Sequence, residues 1–125
     1  MNSELFENEY AKFWIKDQIL FFEYKTDLII DLAAAQRIVA DRIQFQHEVA
    51  YPIFCDIRGV VNFDKAARDY LAQSGSVLSK AVGFLVHQKV TQTIATFYVT
   101  INKPTVPTQL FEDKVAALAF LSKYI

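Results

Sequence analysis

The sequence predicts a mixed α/β fold in the order β-β-α-β-α-β-α-β-α, with a mixed sheet flanked by helices. Three observations lead there. Two neighbouring runs near the start alternate large and polar side chains at the period of a strand. Two short apolar runs, "YPIFCDI" and "AVGFLVH", each follow a helical pattern, as central strands of a sheet covered on both faces do. Aspartates stand where helices begin, at Asp31 and Asp64, ready to accept hydrogen bonds from the first free amides.

The first run, "YAKFWIKD", places Tyr10, Lys12, Trp14 and Lys16 on one face and Ala11, Phe13 and Ile15 on the other. "QILFFEY" follows almost at once, so the two pair as a hairpin around Lys16-Asp17-Gln18, although no Asn-Gly or Asp-Gly fixes the turn type. After Asp31, "LAAAQRIVADRIQFQ" puts Leu32, Ala35, Val39 and Ile43 on one helical stripe. "KAARDYLAQ" is the second helix, ending near Gly75. "VTQTIATFYVTIN" carries strand-forming threonines and valines, but its thirteen residues and the stripe Val90, Ile94, Phe97, Tyr98 and Ile101 favour a helix that Asn102 to Pro104 ends. "VPTQLF" reads as the last strand and "EDKVAALAFLSKYI" as the last helix, with acids at its positive end and Lys123 near its negative end. No linker, repeat or low-complexity stretch divides residues 1–125, which read as one domain.

Composition narrows the function classes. Apolar residues make up 53 % and aromatics 14 %, enough to build a core and to argue against disorder. Thirteen basic residues balance fourteen acidic ones, and Arg37, Arg42, Arg58 and Arg68 are scattered rather than aligned, which argues against a nucleic-acid partner. A single cysteine, Cys55, allows neither an internal disulfide nor a cysteine-based zinc site, and fits a cytoplasmic setting. The polar, acidic start is unlike a secretory leader, and no apolar run approaches the roughly 18 residues of a membrane span, so no membrane insertion is expected.

The opening hairpin, the helix from Asp31, "PIFCDIRGV" and above all "VPTQLFEDKVAALAFL" resemble the STAS-like fold of sulfate transporters and anti-sigma-factor antagonists, and within it the bacterial SpoIIAA-like group. These are packing motifs that span nearly the whole chain. The resemblance implies a regulatory module that docks a protein partner through the loop after the third strand and the helix that follows. In the antagonists that helix opens on a serine that a partner kinase phosphorylates. Here the matching stretch is "NFDKAARDY": Asp64 is kept, but Lys65, Ala66 and Ala67 stand where the hydroxyl would be, and no hydroxyl lies between Cys55 and Arg68. The phosphoserine switch is therefore not carried over. Ser74 and Ser76 lie downstream near a helix end, as substitute acceptors or, on the plainer reading, in an ordinary capping role.

Candidate site residues cluster at the exit of the third strand. Asp56, Arg58 and Gly59 sit where open α/β sheets bind ligands, and Asp64, Arg68 and Tyr70 on the next helix are placed to line the same groove. The plainer reading is an Asp56–Arg58 ion pair that pins the loop, with Gly59 chosen for a positive φ. Cys55 with Asp56 and His87 is a conceivable nucleophile, acid and base, but a cysteine flanked by Phe54 and Ile57 reads as an inert buried thiol. With His47 and His87 the only histidines, neither a metal nor a cofactor is expected, and the chain does not read as an enzyme. The expected partner is an unidentified protein; a homodimer through Trp14, Phe22 and Tyr24 on an edge hairpin is a further option. The alternative is a small-molecule or lipid-binding domain that uses the groove beyond the third strand.

Overall fold

The computed structural model describes residues 4–86, 96 and 98–125. Six strands, β1 (Leu5–Glu7), β2 (Ala11–Lys16), β3 (Ile19–Tyr24), β5 (Tyr51–Asp56), β7 (Ser79–Leu85) and β8 (Thr108–Phe111), form one sheet in the order β1-β2-β3-β5-β7-β8. β1, β2 and β3 are antiparallel neighbours, whereas β3, β5, β7 and β8 run parallel, so the sheet is mixed as predicted. Two further strands, β4 (Leu28–Ile30) and β6 (Val60–Phe63), pair in parallel as a separate small sheet. The helices α1 (Leu32–Gln46) and α2 (Lys65–Gln73) leave β4 and β6 directly. A π-helical turn spans Tyr98–Asn102, and the last helix, α3, spans Lys114–Leu121.

Because side chains alternate across a strand, the sheet builds two cores. One face gathers Phe13, Leu20, Phe22, Tyr24, Ile53 and Cys55 against Ala35, Ile38 and Phe45 of α1 and Ala67 of α2. The other gathers Ile19, Phe21, Phe54, Ala81 and Leu85 against Ala117 and Leu121 of α3. β5 lies in the middle of the sheet with both faces covered, which is why its sequence shows no polar alternation.

Local chemistry sets the element ends. Asp31, Asp64 and Asp113 are the N-caps of α1, α2 and α3, accepting from the amides of Ala34, Ala67 and Val115. The β2–β3 hairpin closes on Asp17 and Gln18, both with positive φ (53° and 67°), the geometry of a type I′ turn without its usual glycine.

Several expectations need correction. The predicted element order omits β1, β4 and β6. β1 is three residues long and held by Phe6, which stacks on Phe13 at 4.7 Å, and by Asn8, whose side chain accepts from the amides of Tyr10 and Ala11. β1 also covers the outer edge of the hairpin, and Phe22 and Tyr24 are buried, so these two do not present an edge surface for self-association. The buried stripe of α1 is turned from the predicted one: Leu32 is exposed, Ile43 half-buried, and Ala34, Ala35, Ile38, Val39, Arg42, Phe45 and Gln46 face inward. Of the predicted helix over residues 90–102, Thr96 and Tyr98–Asn102 are helical, ending where the proline predicts, and the remainder lies outside the described residues.

Candidate functional site

Asp56 ends β5 and turns its carboxylate to the α3 side of the sheet. There Arg58 grips it in a two-pronged pair, Nε donating to Oδ1 at 2.9 Å and Nη2 to Oδ2 at 2.8 Å, while the Arg58 amide donates to Oδ1 at 3.1 Å. Three donors on one buried carboxylate leave it well satisfied, and the same bond raises the pKa of Arg58. The pair lines a hollow of about 70 Å³ with Trp14, Phe21, Phe54 and Lys114, whose ammonium lies 5.5 Å over Phe21 and 5.7 Å over Phe54. Gly59 has no positive φ, contrary to the expectation. It is required instead by close approach: a Cβ there would lie 2.3 Å from the Lys25 carbonyl oxygen.

The remaining predicted residues lie elsewhere. Arg68 donates to the Phe63 carbonyl at 2.6 Å and faces the opposite side of the sheet, as does Tyr70, which is half-buried against the α1/α2 core. Asp64 is occupied as the cap of α2. The candidates thus do not line one groove: Asp56 and Arg58 lie on one face of the sheet, Arg68 and Tyr70 on the other.

On the α1/α2 side, sheet, helices and π-helical turn enclose a second and more apolar cavity of about 90 Å³. Among its walls are Phe22, Tyr24, Cys55, Val82, Phe84 and Tyr98, with Arg42 and Arg68. Arg42 was not a candidate on sequence, since it interrupts a helix face between Ile38 and Phe45, yet it is almost fully buried. Its guanidinium donates to Gln46 Oε1, to the Gly75 carbonyl at 2.9 Å and to the Val77 carbonyl at 3.1 Å. Gln46 in turn donates to the carbonyls of Val49 and Leu78, both at 2.9 Å. Burial pushes the Arg42 guanidinium down to about 10. These bonds staple α1 to the segment after α2.

Cys55 points into this cavity and Asp56 points away, so consecutive residues on one strand cannot act as nucleophile and orienting acid. Burial raises the Cys55 thiol far above its ordinary value, with Asp56 adding to the rise, and His87 lies outside the described residues. Native protein is expected to react with Ellman's reagent no faster than it opens, and at once in denaturant. Rapid stoichiometric labelling of the folded chain would contradict this. Among the described residues no group of three His, Cys, Asp or Glu side chains could hold a metal, and no helix is long and apolar enough to cross a membrane.

A crystal structure of an uncharacterised DUF3478-family protein from Shewanella loihica PV-4, described as having a SpoIIAA-like fold, superposes with a TM-score of 0.60 at 13 % identity, covering 94 % of this chain and 99 % of that one. The SpoIIAA-like fold expected from the sequence is therefore present. No curated protein sequence matches. A family model described as a domain of unknown function, DUF7793, matches residues 13–125, and the chain belongs to that family.

Proposed function

We propose that the domain is a non-enzymatic regulatory module of STAS-like type that docks a protein partner without a phosphoserine switch at the loop after β5. The observation that carries this reading is the small β4/β6 sheet. Among the described residues no third strand pairs with either of its strands, and it directs Ile29 (67 % exposed) and Val61 (50 % exposed) to solvent beside the N-termini of α1 and α2. Apolar side chains on an unpaired strand edge suit an extended segment of a partner that adds itself as a further strand. The helix start beside it already has its own carboxylate in Asp64 and no hydroxyl to modify, so docking here is constitutive.

Covering Ile29 and Val61 contributes roughly 3 kcal/mol, or about a hundredfold in affinity. Capture from source lysate is therefore expected to yield a stoichiometric protein with the wild-type chain and to lose it with Ile29→Asp/Val61→Asp. Val115→Asp, on the exposed side of α3, is expected to retain it. A partner captured equally by all three proteins, or by none, would count against this docking surface.

A further inference from the structure

The cavity between the sheet, α1 and α2 has an electrostatic character that the docking reading does not use. Among the described residues its walls carry two arginines and no aspartate or glutamate, and the rest is mostly aliphatic and aromatic. No carboxylate among the described residues forms an ion pair with Arg42. The staple to Gln46, Gly75 and Val77 uses three of the five N–H donors of a guanidinium, leaving two. A buried cation is ordinarily compensated by an anion, because its attraction to one is little screened inside the protein. Tyr24 and Cys55, the groups whose electrostatic interaction with Arg42 is appreciable, are both neutral at physiological pH, their pKa values being raised by burial. No full negative charge among the described residues therefore faces Arg42.

We propose that this cavity binds a small organic monocarboxylate, its carboxylate at Arg42 and its short apolar tail against Val82, Phe84 and Tyr98. The volume sets the scale of the tail. An apolar cavity of roughly 150 Å³ takes benzene, so about 90 Å³ suits a chain of a few carbons in its enclosed part. The apolar walls disfavour a fully hydrophilic anion such as phosphate, which would give up its hydration without a matching set of donors. The cavity shares Phe63 of β6 with the small sheet, but neither Ile29 nor Val61 lines it, so each reading can fail without the other.

The test is an amide-resolved NMR titration of the full chain with butanoate, butanamide and inorganic phosphate. Butanoate is expected to give saturable shifts centred on residues 53–55, 82–84 and 42. Butanamide, which keeps the shape and loses the charge, is expected to bind about tenfold more weakly or worse, and phosphate is expected to give no saturable shift at these residues. Arg42→Met removes the charge but also the staple, so its loss of binding could reflect loss of fold. Val82→Phe and Leu71→Phe instead fill the cavity from the sheet and from α2 without touching Arg42. Either one, if folded by circular dichroism, is expected to abolish the butanoate shifts, and Ile29→Asp/Val61→Asp to leave them intact. The proposal is overturned by butanoate shifts that do not saturate by about 10 mM, an affinity within reach of a six-atom ligand. Equal binding of butanamide, equal binding of phosphate, shifts centred outside the cavity, or full binding by a cavity-filled variant would each overturn it as well.

Discussion

Phe13→Ala is expected to destabilise the domain by about 4 kcal/mol, the middle of the range for removing a buried aromatic ring. Phe13 is completely buried at the meeting point of four elements. Its ring stacks on Phe6 of β1 at 4.7 Å and on Phe22 of β3 at 5.2 Å, and meets Phe45 of α1 edge-on at 5.2 Å. The alanine would leave a void walled by three rings fixed on three different elements, and such a site collapses poorly. Against a typical total stability of about 5–15 kcal/mol, the loss is large enough to unfold a sizeable fraction of the protein near its growth temperature. Urea unfolding should show the midpoint falling with little change in slope. A loss below about 1.5 kcal/mol would mean that β1 and α1 close over the gap, and that the aromatic cluster does not hold them in place.

Gly59→Ala is expected to cost about 3 kcal/mol, although it adds a single methyl group at an ordinary φ. The new Cβ would meet backbone, at 2.3 Å from the Lys25 carbonyl oxygen, 2.8 Å from its carbon and 3.0 Å from Thr26 Cα, and backbone cannot rotate away as a side chain can. Relief requires the turn after β5 to part from the end of β3. That motion would stretch the bond from the Leu28 amide to the Gly59 carbonyl, which is 3.3 Å and joins β4 to β6. Gly83→Ala is the matched contrast. Its Cβ would lie 3.5 Å from Leu121 Cδ1 and Phe111 Cε2, an ordinary packing distance. With the unfolded chain restricted by the added methyl, that variant should stay within about 1 kcal/mol of wild type, on the stabilising side. Thermal or urea unfolding of the two side by side checks the pair. Equal stability would show that the β3 and β5 exits can separate freely.

The main sheet and its helices were legible in the sequence wherever apolar residues recur over six or more positions. β2, β3, β5 and β7 announce themselves by alternation or by unbroken apolar runs, and α1 by its cap and length. The small sheet was not legible. "LII" and "VVNF" are too short to establish a period, and what makes them strands is each other, across thirty residues of chain. The inward turn of α1 escaped for a similar reason. Arg42 and Gln46 look like surface residues until the carbonyls of Val49, Gly75, Val77 and Leu78, which require donors, are brought beside them.

The Asp56–Arg58 pair was readable because two residues on one turn meet locally. Its separation from Arg68 and Tyr70 follows from which face of the sheet each connection takes, information that only the folded chain contains. Gly59 is constrained, but not by its own φ as expected. A glycine required by a neighbour's backbone and one required by its own φ look identical in a sequence.

Hydrogen–deuterium exchange on the chain with its captured partner tests the docking account most directly. Protection gained on binding is expected at residues 28–32 and 60–66, where the amides of β4, β6 and the two helix starts would come under the added strand, with residues 108–121 unchanged. Protection that fell on β8 and α3, and left β4 and β6 exchanging as in the free protein, would contradict it.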